Sequence, residues 1–299
     1  MMRPQNLRLK LKSLYRHCLL ALLTSVSFVA TAQKDGLLWK VSGNGLTKPS
    51  YLFGTIHIHC NADTINQPAL QQSLNSTDLV ALEIDLNSMQ VLVELYNKSE
   101  EPSPVTLRTY LSASEYHTVD SACRALLGDS LDNLDNKSPV YLMSSMMFSQ
   151  SFLGCRPIPI DFKIAQMAKE AGKPTMGLEK PGFQDSLIKS IPFDMQVRWL
   201  MDFCRNISSA KADFQKLLTA YNSRKIEDIY KVTFETSPEM NELSDAMLTQ
   251  RNVNWVNYLN LNMKLQTYFV AVGAAHLGGK QGLIALLRQA GYTVTAVKL

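Results

Sequence analysis

A strand followed by Gly-x-x-His occurs near each end of the chain, and this pair restricts the fold more than any other feature. The first copy, YLFGTIH, ends at His57, and the second, YFVAVGAAH, ends at His276. In each copy, apolar residues typical of a buried strand lead to a glycine, which lets the backbone turn sharply. The histidine then follows the carboxyl end of its strand, the edge at which open α/β sheets bind ligands. We therefore predict an α/β protein whose two histidines share one cleft at the strand mouths, with both side chains open to solvent.

The rest of the chain alternates between strand and helix patterns. Strands are predicted at 37–41, 50–56, 78–85, 157–160, 174–178, 267–271 and 292–297, and helices at 67–74, 162–171 and 282–290. A long stretch after residue 104, and another from 193 to about 265, also have helical patterns. No low-complexity linker divides these segments. We predict a single α/β domain with a central mixed sheet flanked by helices and a helical insertion between its halves.

Glu83 provides a third candidate group because it stands in the apolar segment DLVALEID. A carboxylate in a hydrophobic run is costly unless it is paired or bound to metal. Asp85 points to the same face if the strand continues, or else begins the next turn. A single Gly-x-x-His match is common by chance, so the prediction rests on three groups together. His57, Glu83 and His276 suit one divalent ion, since imidazole binds zinc and similar metals and a carboxylate also admits manganese.

The first 32 residues have the composition of a signal peptide. A basic region, Arg3 to Arg16, precedes an apolar run from 18 to 30, and Ala30-Thr31-Ala32 gives a small-x-small cleavage pattern. The apolar run is short for a membrane span, although an uncleaved anchor is the alternative. We divide the chain into a signal peptide at 1–32 and an α/β domain at 33–299, and expect a periplasmic or secreted protein.

This division predicts that the exported protein begins at or near Gln33. Intact-mass spectrometry of the exported fraction checks the position, and an exported chain that still begins at Met1 would contradict it.

Removal of the signal peptide also changes the charge balance. The whole chain has 30 basic and 26 acidic residues, but five of the basic residues and none of the acidic ones lie before residue 33. The remaining 25 basic and 26 acidic residues give a net charge of −1. That balance does not indicate a basic surface for binding nucleic acid or a polybasic surface for binding membranes. We expect a peptide or small exported substrate, no nucleic-acid partner and no stable membrane insertion after cleavage.

Four cysteines remain after position 32, namely Cys60, Cys123, Cys155 and Cys204. In an oxidising compartment they can form two disulfides, with three possible connectivities. No Cys-x-x-Cys pair is present, which argues against a thiolate zinc site or a redox motif. Cys60 follows His57 by three residues and is a secondary candidate for a soft metal ligand, although a bridge or buried thiol is favoured.

Six segments occur in a distinctive order: SYLFGTIH, LVALEID, PIDFKIAQMAKEAGKPTMGLE, RNVNW, FVAVGAAHLGG and QGLIALLRQAGYTV. Together they resemble the TraB/PrgY/GumN family, which includes the Tiki metalloproteases. The resemblance extends from about residue 37 to 299. It implies an erythromycin-esterase-like or ChaN-like α/β fold with a cleft at the strand ends, and metal-dependent chemistry supported by manganese or cobalt. The imidazole and carboxylate groups of these residues also suit zinc.

The resemblance also implies roles for individual residues. The motifs place the metal ligands at His57, Glu83 and His276 and the catalytic residues at Glu83, Glu179 and Arg251. Neighbouring supporting positions are His59, Asp85, Asp161 and Asn252, of which His59 need not belong to the family pattern.

These features predict a metal-dependent hydrolase that acts on peptides. Arg251 would stabilise negative charge in the transition state or grip a substrate carboxylate, unless it forms a structural ion pair with Glu179 or Asp161. Two other functions fit the same cleft. One is a non-catalytic module that binds a peptide or small ligand, and the other is an esterase-like hydrolase of an ester or sugar-linked substrate.

Overall fold

The computed structural model describes residues 35–237 and 243–299. The predicted signal peptide at 1–32 lies outside the described residues. In the described part of the chain the strands are β1 (Leu38–Gly43), β2 (Ser50–Thr55), β3 (Ile58–His59), β4 (Leu79–Leu82), β5 (Ile158–Pro159), β6 (Thr175–Gly177), β7 (Tyr268–Gly273) and β8 (Tyr292–Val297).

Helices surround these strands and fill the two long segments of the described chain, one between β4 and β5 and the other between β6 and β7. They are α1 (Pro68–Asn75), α2 (Met89–Glu100), α3 (Leu107–Tyr110), α4 (Ala113–Leu127), α5 (Leu131–Leu134), α6 (Pro139–Met147), α7 (Gln150–Leu153), α8 (Ile160–Glu170), α9 (Pro181–Ser190), α10 (Phe193–Arg205), α11 (Ile207–Ser223), α12 (Ile226–Thr236), α13 (Gln250–Asn262) and α14 (Leu283–Gln289). A π-helical turn, Asp245–Thr249, precedes α13, and a short 3₁₀ helix, Ala274–His276, follows β7.

The central sheet is mixed, which confirms the predicted fold class. Among the described residues it has six strands in the order β6-β4-β7-β2-β1-β8. The strands β6, β4, β7 and β2 run parallel, whereas β1 pairs antiparallel with both β2 and β8. β3 and β5 form a separate antiparallel pair. The inner strand β4 is buried on both faces, as its continuous apolar run LVAL predicts, whereas the edge strand β6 is only partly buried.

The four parallel strands place the candidate residues at one edge of the sheet. Because parallel strands end on the same side, the residues that follow β2, β4, β6 and β7 lie together. These residues include His57, Glu83, Glu179 and His276. The topology thus brings together groups from opposite ends of the described chain, such as His57 and His276, through strand pairing.

Two buried clusters stabilise the fold. The larger one packs α1, α8, α13 and α14 against the sheet through side chains such as Leu70, Ile164 and Leu287. The smaller one joins α4, α6 and α10 through residues such as Val119 and Leu200. A hydrophobic cluster of its own is what a helical insertion needs in order to keep its shape, and it accounts for the helical pattern after residue 104.

The strand predicted at 78–85 is shorter in the structure, since β4 ends at Leu82. Asp85 accepts hydrogen bonds from Thr175 Oγ1 at 2.7 Å and from the backbone N–H of Asn87 at 3.2 Å. An aspartate that bonds the backbone two residues later favours a turn over continued strand. Asp85 therefore begins the turn after β4 and does not share a strand face with Glu83.

The structure pairs Cys60 with Cys155 in a disulfide and leaves Cys123 and Cys204 as buried thiols. Burial raises the pKa of both thiols to about 12. The suggestion that Cys60 is a soft metal ligand is wrong in this structure, because its sulfur is bonded to Cys155. The bridge instead fixes the segment that follows His57 to the segment that precedes β5.

Within 35–237 and 243–299, no helix combines the length and the apolar character that crossing a membrane requires.

Candidate functional site

Arg251 lies at the centre of a buried polar cluster at the carboxyl ends of the parallel strands. Its Nε and Nη2 donate to the two carboxylate oxygens of Glu179 at 2.8 and 2.9 Å, a bidentate ion pair. Nη2 also donates to Glu83 Oε2 at 2.6 Å, and Nη1 donates to Nε2 of His276 at 3.2 Å. We call Arg251, Glu83, Glu179 and His276 the arginine cluster. The four side chains of the cluster are 5–12% exposed, so their charges are stabilised by one another and not by solvent.

Glu83 is ionised because of its neighbours. Its Oε1 accepts a hydrogen bond from the backbone N–H of Gly273 at 2.8 Å. Burial opposes its charge, but the Arg251 guanidinium and the Gly273 N–H favour the carboxylate, and the pKa of Glu83 is lowered. Burial lowers the pKa of His276 to about 3, so that imidazole is neutral near pH 7. Arg251 is therefore the group that keeps Glu83 charged at neutral pH.

His276 is held in one tautomer by Asn252. The Asn252 amide nitrogen donates to two carbonyl oxygens, those of Gln281 at 2.8 Å and of His276 itself at 3.3 Å. Its amide oxygen therefore faces His276 Nδ1 at 2.7 Å and accepts a hydrogen bond from it. The proton resides on Nδ1, and Nε2 keeps a lone pair. Histidines that bind metals are commonly oriented in this way.

The expected solvent exposure of both histidines is confirmed for His57 and is wrong for His276. The side chain of His57 is 63% exposed, whereas that of His276 is 5% exposed. His276 is covered because its ring packs against Trp255, with the centroids 4.5 Å apart. The short 3₁₀ helix after Gly273 turns His276 inward, which the Gly-x-x-His pattern alone does not reveal.

His57 forms a pair with Asp161. Its Nδ1–H donates to Asp161 Oδ2 at 2.7 Å, while Thr55 Oγ1 donates to Asp161 Oδ1 at 2.6 Å. The Asp161 carboxylate raises the pKa of His57 to about 9. Asp161 and Thr55 together fix the ring and leave Nε2 as its remaining nitrogen.

The structure brings the three predicted metal ligands into one cavity. His57, Glu83 and His276 line a space of ≈ 260 Å³ together with Arg251. Within the cavity, Nε2 of His276 and Oε1 of Glu83 are 3.9 Å apart. His57 and Glu83 also line a second cleft of ≈ 330 Å³. Groups from three strand ends therefore face one space, as the repeat of the Gly-x-x-His motif predicts.

Two of the supporting residues lie apart from this cavity. His59 is buried, its Nδ1 accepts from the N–H of Asn61 at 2.9 Å, and its Nε2 lies 3.2 Å from Asn222 Oδ1. Both of its ring nitrogens are therefore engaged elsewhere. Asp85 serves the turn after β4. Asp161 and Asn252, by contrast, each orient one of the two histidines.

Some contributing residues were not predicted. Gln184 on α9 donates to Glu83 Oε2 at 3.3 Å and to Glu179 Oε2 at 3.2 Å, and no pattern in the sequence distinguishes it. Trp255 lies one helical turn after Arg251, with the guanidinium 4.8 Å from its ring centroid, so the i,i+4 spacing in RNVNW was the available signal. Thr55 lies inside the first Gly-x-x-His motif.

The donor chemistry of the cavity suits a divalent cation, with one qualification from the geometry. Glu83 offers an ionised oxygen and His276 an imidazole lone pair, both oriented by further hydrogen bonds. In the described residues, however, no group of three or more His, Cys, Asp or Glu side chains stands ready to hold a metal ion. The lone pair of His276 accepts from Arg251 instead. The residues fit a metal when His276 Nε2 gives up that hydrogen bond and its lone pair coordinates the ion instead.

The profile of the TraB/PrgY/gumN family matches residues 37–296. The chain belongs to this family. The family assignment made from the six ordered segments is thereby confirmed, and the arginine cluster lies within the matched range.

Two curated relatives from the zebrafish Danio rerio are named as metalloproteases. Metalloprotease TIKI2 is 25% identical over 88% of this chain and 61% of its own length. Metalloprotease TIKI1 is 24% identical over 88% of this chain and 64% of its own length. The chain thus spans somewhat less than two thirds of each relative. No solved structure shows significant similarity to it.

Proposed function

We propose that this family member is an exported peptidase that depends on a divalent cation, of which manganese, cobalt and zinc are the candidates. Glu83 and His276 hold the cation, and His57 completes its protein ligands from across the cavity once its Nε2 has released its proton to the solvent. The observation that carries the proposal is the pairing of His276 Nε2, fixed as a lone-pair donor, with the charged Glu83 oxygen 3.9 Å away. The names of the two relatives support the choice of a peptidase.

The charge of the arginine cluster supports cation binding. Two carboxylates, Glu83 and Glu179, contact the single guanidinium of Arg251. With His276 neutral, one negative charge remains in a site that is nearly closed to water. An uncompensated charge in such a place is costly, and a bound cation relieves that cost. The cluster is therefore a better host for a divalent ion than a neutral pair would be.

Each residue of the site has a distinct role in this proposal. A divalent cation bound here would lower the pKa of a water molecule and polarise the carbonyl of a peptide bond. Glu83 lines the cavity, its two oxygens held by the Gly273 N–H and by Arg251, and in this proposal it accepts a proton from that water. Glu179 has both oxygens bonded to Arg251 and is not among the residues that line the cavity, so in this proposal the pair positions Glu83. Asn252 and Asp161 fix the rings of His276 and His57.

The test is cleavage of a peptide mixture by the purified protein, residues 33–299, with and without a chelator. We expect cleavage that the chelator abolishes and that manganese, cobalt or zinc restores, because the cation supplies the reactive water. Tight peptide binding without turnover would contradict the proposal and support a binding module. Hydrolysis of esters or sugar-linked substrates, with no cleavage of peptides, would support the esterase-like alternative.

A further inference from the structure

A second cleft opens beside the proposed metal site. Its volume is ≈ 330 Å³, and His57 and Glu83 form part of its wall as well as part of the first cavity. The rest of its lining is largely apolar and comes from separate elements of the fold, including Ile58, Ile84, Leu86, Leu95, Phe148 and Phe162. Because the cleft shares two residues with the proposed metal site, a group bound in the cleft lies next to the substrate bond that reacts at that site.

Two aromatic rings at this cleft are left in contact with water. Phe148, after α6, is 42% exposed, and Phe162, on α8, is 46% exposed. Burying apolar surface stabilises a protein by about 25 cal/mol per Å². Two phenylalanine rings left exposed beside a cleft therefore do not contribute this stabilisation to the fold. Exposed apolar residues around a concavity are typical of a ligand-binding surface.

Apart from Nε2 of His57, the polar side chains of the cleft already take part in hydrogen bonds. The Gln184 amide nitrogen donates to Glu83 and Glu179, and the Asp161 carboxylate accepts from Thr55 and His57. Bonded polar groups and apolar walls favour an uncharged, hydrophobic occupant. Ligand pockets run from about 300 to 1,000 Å³, so this cleft is at the small end and suits a side chain better than an extended ligand.

We infer that this cleft receives a bulky apolar side chain, of the size of leucine, methionine or phenylalanine, from a substrate residue beside the peptide bond that is cut. The inference rests on the proposed function, because it takes the metal cavity as the place of cleavage. Phe148 and Phe162 are its specificity-determining residues. They act on the choice of substrate and not on the chemical step.

A binding measurement tests the cleft without catalysis. N-acetyl-leucinamide and N-acetyl-glutaminamide are titrated into the metal-free protein, and binding is followed by nuclear magnetic resonance. We expect the leucine compound to bind and the glutamine compound to bind at least several-fold more weakly, since only the former buries apolar surface. Phe162→Ala and Phe148→Ala should each weaken binding of the leucine compound. Leu261→Ala is the matched control, because Leu261 is 74% exposed on α13 and does not line the cleft.

Cleavage of a random peptide library, read by mass spectrometry, tests the same idea in the active protein. We expect leucine, methionine or phenylalanine to be preferred at one position beside the cut, and Phe162→Ala to relax that preference while Leu261→Ala preserves it. Metal-dependent cleavage with no apolar preference would overturn the inference and leave the proposed function intact. Binding of the leucine compound without any peptide cleavage would instead overturn the proposed function and support the cleft. Equal binding of both amides to the wild-type protein would overturn the inference.

Discussion

Glu83→Gln is expected to lower peptide hydrolysis by roughly a hundredfold or more, the usual scale for a positioned proton-transfer group. The substitution keeps the size of the side chain but removes the negative charge, and with it both the proposed metal donor and the proton acceptor. Steady-state rates on a peptide substrate, measured with excess metal, check the result.

The same variant is expected to remain folded. Arg251 keeps its bidentate partner Glu179, at 2.8 and 2.9 Å, so no unpaired charge is left buried. We expect the free energy of unfolding to change by about 1 kcal/mol or less, on the scale of one hydrogen bond.

Asp85→Asn provides the matched control for Glu83→Gln. It removes a carboxylate charge two residues away, on a side chain that bonds Thr175 and not the arginine cluster. Activity close to that of the wild type is expected. If Glu83→Gln stayed active, or if it lost activity only together with a large fall in melting temperature, the role of Glu83 in the reaction would be refuted.

Arg251→Ala is expected to destabilise the protein by about 3–5 kcal/mol, the cost of removing one partner from a buried ion pair. The reason is that Glu83 and Glu179, whose side chains are 12% and 7% exposed, would face each other without a cation. Urea unfolding monitored by circular dichroism, without added metal, measures the change.

Arg124→Ala is the control for this stability effect. Arg124 pairs with Asp120 one turn away on α4, and its side chain is 61% exposed. Ion pairs between exposed side chains contribute little to stability, so little change is expected. A change of similar size in both variants would show that Arg251 does not compensate the buried carboxylates. Partial recovery of the stability of Arg251→Ala on addition of metal would agree with a cation site formed by the same acids.

The sheet could be predicted because the sequence patterns that indicate its strands are local. Each strand–Gly-x-x-His segment combined a buried apolar run with a glycine that ends it, and parallel strands necessarily end at one edge. Glu83 was recognisable because a carboxylate in an apolar strand needs a partner. Those two physical rules were sufficient to place His57, Glu83 and His276 in one cavity.

Other parts of the site depend on contacts that no local pattern encodes. Gln184 joins the cluster only because α9 packs beside the end of β4, and its helix has no distinctive spacing. The inward turn of His276 follows from the 3₁₀ helix and from Trp255 on a distant helix. Asp85 was ambiguous because one Asx turn decides whether a strand continues. Such features require the tertiary structure.

Metal binding by the metal-free protein is the most direct test of the account. Isothermal titration calorimetry with manganese, cobalt and zinc is applied to the wild type, to His276→Gln, which keeps the buried volume, and to His117→Ala, which alters an exposed histidine on α4. We predict one bound ion per chain in the wild type and in His117→Ala, and at least about tenfold weaker binding in a folded His276→Gln, on the scale seen when metal-site residues are lost. No binding to the wild type, or equal binding to His276→Gln, would contradict the proposal that Glu83 and His276 form a metal site.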